Sequence, residues 1–432
     1  AGDKQKVDHA TGGAHEVIKK YPLMFGNLLA FAIAGHHGGL PDGNSGEPGN
    51  LPDRLNKNDL PDYQAFRNEV ILPEITAADI SRFPKMDNDM EAFTMQFFIR
   101  MLFSCLVDAD FLDTEKFMTP ERAEHRKSSP SMESLVQRLQ HKLKDLKDLS
   151  RVYPTTLNNI RAEILSRCLK MADYQPGIFS LTVPTGGGKT YSSLAFGIKH
   201  AVHYSKERII YVIPYTSIIE QNAQVFRDVL GESAVLEHHS NFEYPESDFE
   251  DWDPSEKAHR LASENWDRPL IVTTAVQFFE SLFSNKGSKC RKLHNMAKSV
   301  IILDEAQMMP REFLKPCIMA LAELVKNYQV SVVLCTATQP AINDYFPKGM
   351  RPVEIMEEPQ KLQSLLKRVE VNIRGEMSDD ELSHEMTSCS QVLTVVNTRK
   401  HARMLFDTLS KCSTYDNYHL SARMCPQHRK NV

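Results

Sequence analysis

The sequence predicts a multidomain chain: an all-α front, then an α/β region built on a parallel sheet flanked by helices. Three observations carry that expectation. In Ile18–Ala34 and Met90–Val107, apolar residues recur every three or four positions without β-branched alternation. From about residue 178, short apolar runs alternate with helical stretches, the pattern of a parallel sheet. Between the two, composition shifts abruptly toward Ser, Pro, Lys and Asp. At about 100–200 residues per domain, 432 residues allow two to four domains.

Taken in order, residues 1–122 read as the helical front, broken by a Gly/Pro/Asn/Asp loop over Gly43–Asp59. Residues 123–152 read as a linker with a solvated connecting helix, because Gln137–Leu149 alternates Lys, Asp and Leu. Residues 153–360 form the first α/β domain. Its strands are expected at Ile178–Val183, Ile209–Ile213, Leu270–Thr273, Ser299–Leu303 and Val330–Leu334. Residues 361–432 open a second α/β domain that is incomplete. Gln391–Val396 is its expected strand and 397–410 its helix.

Composition narrows the function classes. Hydrophobic residues are 41% and charged residues 25%, which suits buried cores and excludes disorder over the whole length. The net charge of −5 gives no global basic field, so a nucleic-acid partner must be met by a local groove. The eight cysteines form no CxxC pair, which argues against a zinc ribbon or disulfide framework and favours a cytoplasmic location. No membrane span is expected. The most apolar stretch, Phe25–Gly35, is shorter than the roughly 20 residues required and contains Asn27. The N-terminus has no signal-peptide core, and the chain starts without Met and stops soon after a strand-like run, so both ends are expected to be cut.

Pro184-Thr185-Gly186-Gly187-Gly188-Lys189-Thr190 lies between an expected strand and helix. Glycines let backbone amides turn toward an anion, and the helix start adds partial positive charge. Lys189 is placed to reach the β/γ-phosphates of ATP, and the Thr190 hydroxyl to bind Mg²⁺. Val183 stands where the strict pattern has Gly. Further on, Ile301-Ile-Leu-Asp304-Glu305-Ala-Gln307 is an apolar strand ending in two acids. Asp304 would anchor the magnesium and Glu305 would polarise the attacking water.

These elements, with Pro214-Tyr215-Thr216-Ser217-Ile218, Thr273-Thr274 and Thr336-Ala-Thr338, resemble superfamily 2 helicase motifs I, Ia, Ib, II and III in order. The resemblance implies RecA-like domains. It implies that Thr336 and Thr338 couple hydrolysis to domain movement, and that Tyr215, Thr216, Ser217, Thr273 and Thr274 grip a nucleic-acid backbone. Val395-Val-Asn397-Thr-Arg399 and the stretch from His419 to Arg429 resemble the opening of the second RecA-like domain. The arginine-finger motif is expected beyond residue 432.

The front supplies Asp8-His9, His36-His37-Gly-Gly and Asp108-Ala-Asp110. Imidazoles with carboxylates suit first-row transition metals, Mn, Fe, Co or Ni. The strings DHATGGAH, GHHGGLPDG and LVDADFLDTE ahead of the helicase motifs resemble the CRISPR-associated helicase–nuclease family of type I systems, and the longer strings resemble the type I-C branch most. The resemblance implies an HD-type nuclease domain with His9, His36, His37 and Asp110 as metal ligands, Asp108 as the fallback carboxylate, and His37 at the catalytic centre. The eponymous His-Asp pair and an earlier histidine are expected upstream of residue 1. It further implies a 3′→5′ single-stranded DNA translocase, recruited by an RNA-guided surveillance complex of the Cascade type, and makes an anti-CRISPR inhibitor a candidate partner. Two alternatives stand beside it. One is a helicase on DNA or RNA with a non-catalytic helical front, which would bind no transition metal. The other is a nucleolytically silent recruited binding module.

Overall fold

The computed structural model describes residues 8–432 apart from 45, 47–48, 58, 61, 88, 127–128, 153–154, 241, 243, 245–246, 339–341, 413–415, 422, 426–427 and 429–430; side chains of 146–152, 216–217, 250, 343 and 412 are also outside the described set. The chain forms two compact units, 1–366 and 367–432.

The first unit is organised by a seven-stranded, all-parallel sheet. Its strands are β1 (Ile178–Thr182), β2 (Arg208–Ile213), β3 (Val235–His238), β4 (Leu270–Thr274), β5 (Ser299–Leu303), β6 (Ser331–Thr336) and β7 (Val353–Glu354), in the order β3-β4-β2-β5-β6-β1-β7. The strands read as continuous Val/Ile/Leu runs because both faces are covered. Phe179, Phe196, Tyr211 and Phe226 fill one core; Ile210, Trp266, Phe278 and Leu334 fill another. The sequence missed β3 and β7. One carries Glu237, satisfied by Arg227 and His239; the other is only two residues long at the sheet edge.

The longer helices of this unit are α1 (His9–Lys20), α2 (Leu23–Gly35), α3 (Glu91–Met118), α4 (Met132–Val152), α5 (Thr156–Met171), α6 (Lys189–His203), α7 (Thr216–Leu230), α8 (Pro254–Asn265), α9 (Ala275–Phe283) and α10 (Leu314–Asn327). The helical period expected over Ile18–Ala34 is split at Tyr21, which is extended ahead of Pro22. Where a solvated connecting helix was expected, α4 buries Met132, Leu135 and Leu139 in the core beside β1 and α6. The front does not stand apart from the sheet. Phe97 of α3 is fully buried in the second core, and the Thr94 hydroxyl donates to Glu323 Oε2 of α10 at 2.7 Å.

Contrary to the expectation drawn from Phe25–Gly35, α3 is apolar enough to cross a bilayer by length and composition. Its Phe97, Phe103 and Val107 are buried, and it carries the ion-paired Asp108. Those are the marks of a core helix.

The second unit contains helices Asp379–Ser388 and Arg399–Cys412, the latter close to the helix expected at 397–410. The strand expected at Gln391–Val396 does not form. No strand is present among the described residues of this unit, so these backbone groups have no ladder to join, and Leu393 and Val395 are exposed. Part of the stretch from His419 to Arg429 lies outside the described residues.

Candidate nucleotide and metal sites

The phosphate loop leaves the carboxyl end of β1 and enters α6 at Lys189. Gly186 and Gly188 have φ of 87° and 81°, conformations that a Cβ disfavours. A Cβ on Gly187 would meet Val183 Cγ1 at 2.6 Å and the Pro184 carbonyl at 3.1 Å. The adjacent order β5-β6-β1 brings the carboxyl end of β5 to the same edge. There Lys189 Nζ lies 2.6 Å from Glu305 Oε1 and 3.5 Å from Asp304 Oδ1. Burial would lower the Lys189 ammonium, but the two acids outweigh it and hold the pKa above its ordinary value. Burial raises Asp304 despite Lys189. For Glu305 burial is outweighed by bonds from Lys189 and Gln307, and its pKa falls. Glu305 is also in the left-handed region, φ 48°. These features fit a triphosphate: amides and a lysine whose carboxylate partners are ready to exchange for phosphate oxygens. Thr190 follows Lys189 at the start of α6.

Arg161 of α5 donates from Nε to the Gly186 carbonyl at 2.9 Å, and its stem covers Gly188. Arg161 belongs to none of the motifs, so its place against the loop is legible only from the fold. Thr336 ends β6, and its hydroxyl accepts from the Thr338 amide at 3.2 Å. That bond ties the two threonines into one turn beside the acids of β5.

The nucleic-acid residues divide. Tyr215 is exposed, with its hydroxyl 3.7 Å from Met308 Sδ. The side chains of Thr216 and Ser217 lie outside the described residues. Thr273 is fully buried and donates to the His238 carbonyl at 2.8 Å. Thr274 caps α9 by accepting from the Gln277 amide. Both hydroxyls bond within the fold.

In the front, α1 and α2 pack as a hairpin that brings His9 against His36 and His37. His9 Nε2 is 3.3 Å from His36 Nε2 and 2.8 Å from His37 Nε2. The three offer ligand atoms all within 4.8 Å of one another. Two nitrogens bound to one ion at about 2.0–2.1 Å stand roughly 3 Å apart, so this triangle suits a coordination edge. His36 Nδ1 donates to the Ile33 carbonyl at 2.7 Å, which leaves Nε2 as the lone-pair nitrogen. Burial and the neighbouring imidazoles lower the pKa of His37, while Asp110 acts to raise it.

Asp110 joins His36 and His37 around a cavity of about 500 Å³. Asp108 does not. It is buried, with Oδ1 2.8 Å from Arg291 Nε and Oδ2 accepting from Asn265 at 3.1 Å. Two positions on a helix diverge by about 200°, so only one of the two acids can face the imidazoles. Asp8 is likewise occupied: it caps α1 through the Thr11 amide, and Lys57 holds its carboxyl down at about 2.

The DEAD/DEAH box helicase family matches residues 158–345. The CRISPR-associated nuclease/helicase Cas3 of Haloferax volcanii is 35% identical over 185 residues, covering 39% of this chain and 20% of that protein. Among solved structures, T. fusca Cas3 with ATP covers 80% of this chain and 41% of its own, with 17% identity and a TM-score of 0.50. T. fusca Cas3 crystallised without a named nucleotide gives 0.48 at 17% identity, over 80% and 40%. The chain spans less than half the length of each of these proteins.

Proposed function

We propose, for a chain that is a homologue of the CRISPR-associated nuclease/helicase Cas3 and carries a DEAD/DEAH box helicase domain, that it moves 3′→5′ along single-stranded DNA using ATP. The same chain cuts that DNA at a metal centre in its front. Its recruiting partner is an RNA-guided complex of the Cascade type that has opened an R-loop, and its subtype is I-C. One observation carries the reading: the Lys189–Glu305 pair and the convergent imidazoles of His9, His36 and His37 occur in a single compact unit.

In the motor, Lys189 leaves Glu305 and Asp304 for the β/γ-phosphates, and the loop amides receive the remaining oxygens. Glu305, released, orients and deprotonates the attacking water. Asp304 and Thr190 hold Mg²⁺. The Thr336–Thr338 turn lies next to those acids and passes their rearrangement to the second RecA-like domain. In the cutting centre, His9, His36, His37 and Asp110 would hold a transition metal, which would supply a Lewis acid and a water-derived nucleophile to a phosphodiester. Ile33 fixes the His36 ring so that Nε2 faces inward, and Asp110 balances charge beside His37.

The test is cleavage of circular single-stranded DNA by full-length protein, with and without EDTA, beside His36→Ala and Lys189→Ala. His36→Ala should abolish cleavage and leave DNA-stimulated ATPase intact. Lys189→Ala should cut ATP turnover by at least about 100-fold, the scale of losing one transition-state donor. Cleavage that survives EDTA, or equal loss of both activities in His36→Ala, contradicts the reading.

A further inference from the structure

The loop that completes the front cavity belongs to the helicase domain. Residues 284–294, Ser-Asn-Lys-Gly-Ser-Lys-Cys-Arg-Lys-Leu-His, follow α9 and are rich in cations. Three of their four Lys/Arg side chains are committed. Lys289 pairs with Glu280 at 2.8 Å. Arg291 pairs with Asp108 at 2.8 Å and Glu264 at 3.3 Å. Lys292 is buried, donates to the Ser288 carbonyl at 3.2 Å, and is pushed down to about 8 by burial. Lys286 is the exception. It is exposed, has no carboxylate partner among the described residues, and lines the cavity that holds His36, His37 and Asp110.

The backbone on both sides of Lys286 is pinned to the front. The Leu40 amide donates to the Asn285 carbonyl at 2.9 Å. Gly39 permits that approach: its φ is 97°, and a Cβ there would lie 2.9 Å from the Asn285 oxygen. On the other side Gly287 packs against Val107, where a Cβ would meet Cγ1 at 3.2 Å. Val107 precedes Asp110 by one turn of α3. Ser104, a turn earlier, donates to the Cys290 carbonyl at 2.6 Å. Lys286 is therefore held between two contacts with the elements that carry the imidazoles and the carboxylate. The nine residues of α9 run roughly 14 Å from the Thr274 cap at the sheet's carboxyl edge to this loop.

We infer that Lys286 is a substrate-binding residue of the front metal centre, gripping a phosphate of the DNA strand beside the His36, His37 and Asp110 cluster. This rests on the proposed nuclease reading. A phosphodiester brings negative charge to a site whose own acidic member is Asp110, and an unpaired ammonium at the rim offsets it. Lysine suits the task as a compact point charge that contacts phosphate irrespective of base. The helicase domain thus supplies part of the cutting site, so strand delivery and strand cutting share a surface.

The test uses full-length protein with Mn²⁺ as the metal probe and an oligothymidylate as the strand, comparing Lys286→Ala, Lys286→Arg and Lys289→Ala. Lys286→Ala should lower kcat/KM for cleavage about tenfold, mostly through KM, the loss of one charge-assisted bond. Lys286→Arg should restore most of it, and Lys289→Ala should behave as wild type. Bound manganese and DNA-stimulated ATPase should be unchanged in all three. The dependence of log affinity on log salt should become shallower by about 0.7 in Lys286→Ala, one phosphate contact on a single strand. An unaltered salt slope overturns the inference, as does equal damage from Lys289→Ala or loss of manganese in Lys286→Ala. If wild-type protein cuts nothing with any metal, the nuclease reading fails instead, and the salt slope still decides whether Lys286 holds phosphate.

Discussion

The two sites of the first unit are satisfied in opposite ways. At the phosphate loop, a cation already has its counter-charges: Lys189 sits on Glu305 and near Asp304, so an incoming triphosphate exchanges one set of anions for another. In the front, His9, His36 and His37 turn their Nε2 atoms toward one another, His9 lying 3.3 Å from His36 and 2.8 Å from His37, a set of nitrogen donors that one cation can share. One pocket is built to receive an anion and the other a cation. The histidines of the helicase domain sharpen the contrast. His200 is buried and His238 and His259 are half-buried, and desolvation pushes the three down to about 4, 3 and 4. The same side chain is packing material around the sheet and a converging donor in the α1–α2 hairpin. What differs is the partner: His200 meets the Ser331 hydroxyl at 2.8 Å, whereas the front histidines meet one another.

The largest test of that contrast separates two acids on α3. Asp108→Ala removes the nearer carboxylate of the buried Arg291, leaving only Glu264 at 3.3 Å, and should cost about 3 kcal/mol of stability in denaturant unfolding. Asp110→Ala should leave stability nearly unchanged while removing metal-dependent cleavage. If Asp110→Ala unfolds the protein and Asp108→Ala does not, the assignment of the two acids is reversed.

Acid should act next. His200, His238 and His259 have folded pKa values below the unfolded value of about 6.5, so the unfolded chain binds more protons on acidification. Their stabilising contribution is complete above about pH 6.5 and declines as pH falls toward 4. Between pH 7 and 6 the three together should cost about 2 kcal/mol. Unfolding midpoints that do not move across that interval would contradict their burial as neutral rings.

The smallest effect probes the loop. Gly187→Ala places a methyl against Val183 and the Pro184 carbonyl. It should weaken nucleotide binding about tenfold, or ~1.4 kcal/mol, with bound metal unchanged. Unaltered nucleotide affinity would mean that the loop has another resting shape.

The sequence exposed the nucleotide site more fully than the metal site, and the reason is locality. A phosphate loop is a contiguous strand, turn and helix start, and the Asp304-Glu305 pair follows its own strand. The histidine triangle depends on α1 folding back on α2, which no spacing along the chain encodes. Residue chemistry marked the imidazoles as metal donors, and the family resemblance grouped them into one ligand set. The choice between Asp108 and Asp110 was settled by tertiary partners, since Arg291 lies far away in sequence. Thr273 and Thr274 carry hydroxyls suited to phosphate or to capping, and the neighbouring backbone decided for capping. The strand expected at Gln391–Val396 shows the converse: an apolar run becomes a strand only where another strand receives it. Lys286 sits in no motif, and it stands out only in the fold, where Lys289 and Arg291 beside it are paired with acids.

The most direct measurement of the two-site account is X-ray absorption at the cobalt edge on Co²⁺-loaded full-length protein, with ATP turnover followed on the same preparation. The account predicts imidazole nitrogens in the cobalt coordination shell, lost together with tight cobalt binding in His36→Ala while ATP turnover persists. Cobalt bound without imidazole, or bound as tightly in His36→Ala as in wild type, would contradict it.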